Sequence, residues 1–274
     1  MKKYLVIGNP INHSLSPKLH TYWINQNDIN ASYTKQKLNI NDLKNLILKV
    51  REKKINGVNI TVPFKKEIIP YVDKLTSNAQ ATQSVNTISL TDGKIIGHNT
   101  DIEGFVKAIK EIKYNIVGKK ILIIGSGGVS PSIIFALYKM KAYNIVLSNR
   151  TKEKATYLQN FYNNTIVEKY GWNKIKVVKW GDVPEFDIVI NATSVGLTKD
   201  QKLDLDFSNI GKDKLFYDVI YNPQETNFLK SGKNSGNKTE NGKKMFVYQA
   251  AEAFKIWHSI EPEINQEVMD LLDD

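Results

Sequence analysis

Along the first hundred residues the apolar positions switch repeatedly between two spacings. "KYLVIGN" (3–9) is a nearly continuous apolar run, the pattern of a strand buried on both faces. "SPKLHTYWINQN" (16–27) predicts a helix with Pro17 in its first turn, where the missing N–H costs nothing. "ASYTKQKL" (31–38) predicts a second strand. In 41–53, Leu43, Leu46, Ile47 and Val50 recur at helical spacing. "GVNITV" (57–62) predicts a third strand, followed after Pro63 by a helix over "KKEIIPYVDKL" (65–75). Residues 86–99 have the alternation of a hairpin turning at Asp92-Gly93.

A second rhythm starts near residue 115. "KKILIIGSGGVSPS" (119–132) predicts strand, glycine loop and helix, with Pro131 in the first helical turn and Ile133, Leu137 and Met140 on one face. Strands are expected at 144–149, 174–178, 186–193 and 214–221. Alternation of this kind predicts a parallel, doubly wound sheet, so the fold class is α/β. The polar, Gly- and Asn-rich stretch 230–244 predicts an exposed loop. The chain then returns to helix, with Val247, Ala250, Phe254 and Trp257 on one face, and a short helix is expected after Pro262.

Length and composition narrow the picture. With 274 residues, two domains are expected. No apolar run approaches the 18 or so residues of a membrane helix, so no membrane role is expected. The apolar stretch after Met1-Lys2-Lys3 is too short for a signal peptide and ends at Pro10. There is no cysteine, which excludes disulfides, thiolate ligands and a thiol nucleophile and fits a cytoplasmic location. The net charge of +10 raises the question of nucleic acid. The lysines are scattered, however, and no basic stripe is interleaved with aromatics, so no nucleic-acid partner is expected. The excess charge favours small anions instead. His13, His20, His98 and His258 lack metal-ligand spacing, and no metal is expected.

Four groups of residues carry candidate chemistry. In "GSGG" (125–128), Gly125 permits a tight turn and Gly127 lets the backbone approach a pyrophosphate. The following helix offers unpaired N–H groups. Ser130 stands where the third glycine of G-x-G-x-x-G would fall, and alone such a loop could hold adenosylmethionine or be a plain turn. The next strand ends in "SNRTKEK" (148–154), with Arg150 and Lys154 and no acid at its tip. A guanidinium there suits a 2′-phosphate, which favours NADP over NAD; a solvated basic loop is the bland alternative. Ser14 and Ser16, if extended, point the same way and can donate to one carboxylate, although Ser16 before Pro17 could equally cap the helix. Lys65, at the opening of a predicted helix beside Lys66, sits where the dipole disfavours a cation, a setting suited to a general base. Thr100 and Glu103 make a T-x-x-E capping box, which leaves the Asp101 carboxylate available to a substrate hydroxyl or to Lys65.

Together these residues resemble the shikimate dehydrogenase family. "GNPINHSLSPKLH", "GVNITVPFK", "SVNTI" and "GHNTDIEGF" are similar to its substrate-side motifs. "GSGGVSPS", "SNRTKEKA", "NATSVGL", "DVIYNPQET" and "MFVYQAAEAFKIW" are similar to its cofactor half and closing helix, nine motifs in the family's order. The resemblance implies NADP-dependent, reversible reduction of 3-dehydroshikimate to shikimate. It implies a substrate domain built from both chain ends (1–102 and 246–274) around an inserted Rossmann-type NADP domain (103–245), the C-terminal helices packing back on the former. By motif, Ser14 and Ser16 bind the substrate carboxylate; Thr61, Asn86, Asp101 and Gln249 bind its hydroxyls, with Tyr221 nearby; Lys65 and Asp101 form the catalytic pair. Gly125, Ser126, Gly127, Gly128 and Val129 line the pyrophosphate. Asn149, Arg150, Thr151 and Lys154 face the adenosine 2′-phosphate, and Thr193, Val219 and Gly242 other parts of the cofactor. Val219 replaces a common Met, Lys244 a usual second glycine, and Thr21 an Asn. The family includes monomers and homodimers. Two alternatives share the fold: a quinate/shikimate dehydrogenase using NAD, and a non-catalytic NADP-binding sensor.

Overall fold

The computed structural model describes residues 1–142, 144–198 and 200–273. They form two compact units, one of Met1–Phe105 with Val247–Asp274 and one of Val106–Phe246.

The first unit contains β1 (Lys2–Gly8), α1 (Ser16–Gln26), β2 (Ala31–Lys37), α2 (Leu43–Arg51), β3 (Gly57–Ile60), α3 (Phe64–Glu67), β4 (Lys74–Leu75), α4 (Ser77–Thr82), β5 (Thr87–Thr91), β6 (Lys94–His98) and the start of α5 (Asp101–Glu111). Its sheet has the order β2-β1-β3-β5-β6-β4. β1 pairs in parallel with β2 and β3, whereas the β5–β6 hairpin joins β3 antiparallel. Asp92 and Gly93 both have positive φ (49° and 73°), as a tight hairpin turn requires. The apolar stripe of α2 (Leu43, Leu46, Ile47, Val50) packs on Leu5, Ile7, Val58, Ile60, Ile88 and Ile95 of the sheet.

The second unit contains β7 (Lys120–Ile124), α6 (Ser130–Lys139), β8 (Asn144–Ser148), α7 (Lys152–Phe161), a π-helical turn to α8 (Glu168–Tyr170), β9 (Lys176–Val178), β10 (Ile188–Asn191), β11 (Leu215–Asp218), α9 (Asn227–Asn234) and β12 (Lys238–Glu240). The sheet is parallel throughout, with the order β12-β11-β10-β7-β8-β9. The direction of winding reverses between β7 and β10, which creates a switch point at the carboxyl ends of those strands. Finally α10 (Lys243–His258) and α11 (Gln266–Asp270) end the chain. From Val247 onward they belong to the first unit: Trp257 on α10 donates its indole N–H to the Ile88 carbonyl (2.9 Å), and Trp23 on α1 donates to the carbonyl of Glu263, which precedes α11 (3.0 Å).

Three local expectations are corrected. The third strand ends at Ile60, because Thr61 already begins a turn in which Phe64 N–H donates to the Thr61 carbonyl at 2.9 Å. The helix expected over 65–75 is one turn, α3, followed by a 3-10 turn at Ile69–Tyr71 and then β4. Pro70 removes an N–H from any longer helix, and pairing of Lys74 and Leu75 with β6 satisfies the backbone instead. The loop expected over 230–244 is mostly ordered structure. Thr226 caps α9 by accepting from Leu229 N–H, Phe228 and Leu229 are buried, and β12 completes the sheet beside β11. Gly232 in that helix packs on the Phe216 ring, where a Cβ would come within 2.5 Å. Helix α9 therefore depends on tertiary contact rather than on its own composition.

Candidate active site and dinucleotide site

Lys65 lies in the single turn of α3 and Asp101 at the start of α5. Their side chains meet, Lys65 Nζ to Asp101 Oδ2 at 2.6 Å, with only 11% and 7% of the side chains exposed. A one-turn helix has little dipole, so the counter-charge on Asp101, not the helix end, dominates the field at this amine. The second carboxylate oxygen, Oδ1, is held by Asn86 Nδ2 at 2.9 Å.

Asn86 is the hub of this arrangement. It is buried just before β5, and its amide nitrogen also lies 2.8 Å from Thr100 Oγ1 and 3.3 Å from Gln249 Oε1 on α10. Its Oδ1 accepts from Thr100 N–H at 2.8 Å. Four of the residues singled out in the sequence (Lys65, Asn86, Asp101 and Gln249) are therefore one connected cluster. Thr61 is half-buried at the turn leading to Lys65. Ser14 and Ser16 are joined directly, since Ser16 N–H donates to Ser14 Oγ (3.3 Å). The segment is neither extended nor capped by Ser16: Leu15 has helical φ and ψ (−88°, 0°) and occupies the N-cap, so Ser16 is already within α1.

Sequence reasoning missed the layer behind Asn86. Tyr33 on β2 donates to Asn59 Oδ1 (2.6 Å), and Asn59 donates to Thr87 Oγ1 (3.0 Å) and the Asn86 carbonyl (3.3 Å). Asn99 Oδ1 accepts from Asp101 N–H at 3.1 Å. A run of buried asparagines at strand ends was the available signal. His20 and His98 serve structure. His20 stacks on Tyr33 at 4.2 Å, and burial pushes its pKa down to about 3; His98 meets Ser89 Oγ at 2.9 Å, and burial pushes it down to about 4. Among the described residues no group of three or more His, Asp or Glu could hold a metal ion.

In the second unit the dinucleotide candidates gather at the carboxyl edge of the sheet. Gly125 has φ +104°, and a Cβ there would press on Thr193 Cγ2, so glycine is required. Around Gly127 the space is open, the nearest atom to an added Cβ being the Ala192 carbonyl oxygen at 4.0 Å. Ser130 substitutes for the third glycine by donating its hydroxyl to the Gly125 carbonyl (2.9 Å). Asn149 ties the loop to the end of β8: its Oδ1 accepts from Ser126 N–H (3.2 Å) and its Nδ2 donates to the Thr151 carbonyl (2.7 Å). Gly128 and Val129 lead into α6, and Arg150, Thr151 and Lys154 are exposed beside this loop. The fit to a dinucleotide is good on two counts: open backbone at Gly127, and a Ser126 hydroxyl that is buried without a partner.

Thr193 and Val219 follow β10 and β11. Thr193 donates both N–H (3.1 Å) and Oγ1–H (2.7 Å) to Asn191 Oδ1, and Val219 N–H donates to the Asn191 carbonyl (3.0 Å). Gly242 N–H donates to the Ile220 carbonyl (3.0 Å), and any side chain at Gly242 would overlap the Val219 carbonyl. Lys244 turns back to Glu240 in an ion pair of 2.8 Å, and Tyr221 stacks on Phe246 at 4.3 Å.

A doubly wound sheet with a glycine loop at its switch point, in one chain with a shielded amine–carboxylate pair, defines a nicotinamide-dependent oxidoreductase. The shikimate dehydrogenase substrate-binding domain model matches residues 6–88, and the shikimate/quinate 5-dehydrogenase model matches residues 107–218. The shikimate dehydrogenase (NADP+) of Pelagibacter ubique is 52% identical over 272 residues, 99% of each chain. A shikimate dehydrogenase solved in complex with NADP+ is 36% identical with a TM-score of 0.91, covering 99% of this chain and 94% of that one. The Thermus thermophilus enzyme, solved with NADP(H) and shikimate, is 28% identical with a TM-score of 0.86, over 99% and 98%. The chain belongs to the shikimate dehydrogenase family.

Proposed function

We propose that the protein is an NADP-dependent shikimate dehydrogenase, reversibly reducing 3-dehydroshikimate to shikimate. The observation that carries this reading is the shielded Lys65–Asp101 pair, 2.6 Å apart, in the unit that matches the substrate-binding model. Bound NADPH supplies the hydride for reduction. In that direction the Lys65 ammonium gives its proton to the oxygen of the carbonyl as it becomes an alkoxide; in oxidation the free amine takes the proton from the hydroxyl. Asp101 orients Lys65 through Oδ2 and accepts from a neighbouring hydroxyl of the ring, while Asn86 fixes Oδ1. Ser14 and Ser16 donate to the substrate carboxylate, and Thr61, Asn86 and Gln249 bind hydroxyls, with Tyr221 counted by motif among the substrate residues.

The residues Gly125 to Val129 hold the pyrophosphate, and Asn149, Arg150, Thr151 and Lys154 hold the 2′-phosphate, which favours NADP over NAD. Thr193, Val219 and Gly242 contact the rest of the cofactor. A binding-only sensor would have no need of a desolvated proton-transfer pair. On this reading residues 1–102 with 246–274 form the substrate domain and 103–245 the cofactor domain, working in the cytoplasm, with a homodimer as the assembly to test by light scattering.

Loss of NADPH absorbance when 3-dehydroshikimate is added to purified protein tests the function, and no loss above the buffer rate would refute it. The pH–rate profile of Lys65→Arg tests the role of Lys65. Arginine keeps its proton, so substantial turnover by that variant would exclude proton transfer and leave only electrostatic stabilisation of the alkoxide.

A further inference from the structure

Asp218 is the last residue of β11, has no exposed surface and has no role in the mechanism above. Its cross-strand neighbour is Asn191, the last residue of β10. Asn191 Nδ2 lies 3.1 Å from Asp218 Oδ1 and 3.2 Å from Oδ2, and donates also to the Val195 carbonyl at 3.1 Å. The Asp218 carboxylate accepts further from Ile220 N–H (3.0 Å) and from the Thr226 hydroxyl (2.7 Å). One carboxylate thus joins three separate pieces of chain: the Thr193 turn through Asn191, the Val219–Ile220 turn, and the cap of α9.

All of these donors are neutral, and desolvation outweighs them, raising the Asp218 pKa to about 6. A neutral side chain would be cheaper to bury here, so stability alone does not account for an acid at this position. What a carboxylate supplies, and an amide does not, is acceptor capacity on both oxygens at once. The Asn191 amide is thereby fixed with its own oxygen facing Thr193, whose N–H and hydroxyl both donate to it.

We propose that Asp218 and Asn191 form a clasp that positions the Thr193 and Val219 turns for the dinucleotide, so that the clasp sets NADPH affinity. Asp218 is a positioning residue: it acts through Asn191 and the Val219–Ile220 backbone and touches neither substrate nor cofactor. The inference rests on the proposed function, because it takes Thr193 and Val219 to contact the cofactor.

The test is titration of native protein and variants with NADPH, read by nucleotide fluorescence, and with shikimate, read calorimetrically. Asp218→Asn turns one acceptor into a donor facing Asn191 and should raise the NADPH dissociation constant about tenfold or more. The shikimate dissociation constant should stay within about twofold, because the cluster of Lys65, Asn86, Asp101 and Gln249 belongs to the other unit. Equal NADPH affinity in Asp218→Asn and native protein overturns the clasp. Should Asp218→Asn fail to fold, Thr226→Val withdraws one donor from the carboxylate, together with the acceptor that caps α9. A measurable weakening of NADPH binding in that variant, relative to Thr226→Ser, supports the clasp, and unchanged binding overturns it. Native protein that binds no NADPH would instead sink the functional reading, and the clasp with it.

Discussion

His20 makes the stability of the first unit depend on pH in a way that can be calculated. It lies on the buried face of α1, enclosed by Tyr33 (4.2 Å, parallel), Trp23 (5.7 Å, edge-on), Trp257 (5.5 Å) and Phe254 (6.2 Å). Neither ring nitrogen has a hydrogen-bond partner. Desolvation, assisted by the nearby His258, pushes its pKa from the ordinary 6.5 down to about 3. The unfolded chain therefore binds a proton below pH 6.5 that the native state refuses. The contribution is fully present above that value and is lost as pH falls towards 3. Linkage gives a loss of about 1.4 kcal/mol at pH 5.5 and about 2.7 kcal/mol at pH 4.5 from this one group. His20→Phe keeps the aromatic stack and deletes the titration. Any cost of the larger ring is independent of pH, so the informative quantity is how the variant's stability relative to wild type changes between pH 7.5 and 5.5. Urea unfolding followed by tryptophan fluorescence, to which Trp172 and Trp180 contribute besides Trp23 and Trp257, measures it, and the variant should gain about 1.4 kcal/mol on wild type over that interval. His98 and His258, both held near 4 by burial, add to the acid lability of each protein equally and cancel in the comparison. A difference that stays constant with pH would mean that His20 is protonated in the native state, and the reasoning would fail.

Other expectations follow from the same geometry. Lys65→Met leaves the Asp101–Asn86 contact in place and should lower kcat by about a hundredfold or more in steady-state assays, so turnover within tenfold of wild type would exclude Lys65 from the chemistry. Arg150→Ala should raise the KM for NADPH on the order of tenfold while leaving that for NADH nearly unchanged; an equal rise for both would remove the 2′-phosphate assignment. At Gly57, a Cβ would overlap the Trp257 indole, so Gly57→Ala should displace the bond from Trp257 to the Ile88 carbonyl and cost about 1–3 kcal/mol in urea unfolding. Unchanged stability there would mean that α10 is not held to the sheet by this contact.

Periodicity alone determined most of the regular elements. The continuous apolar runs of β1, β7 and β10 and the stripe of α2 are local patterns, as is the Asp92-Gly93 turn, whose chemistry resides in two adjacent residues. The glycine loop before α6 was legible for the same reason: the φ demanded at Gly125 is a property of one position. Lys65 and Asp101 stood out by residue type and neighbours, but that they bond each other, 36 positions apart, is a property of the folded sheet. Where propensity was weak, tertiary contact decided. The Gly- and Asn-rich stretch around Ser231 folds as α9 and β12 because Phe228, Leu229 and Gly232 find the Phe216 face, and because β11 has an open edge. The truncation of α3 and the asparagine network behind Asn86 belong to the same class. Each is fixed by partners distant in sequence, and a spacing rule counts only neighbours.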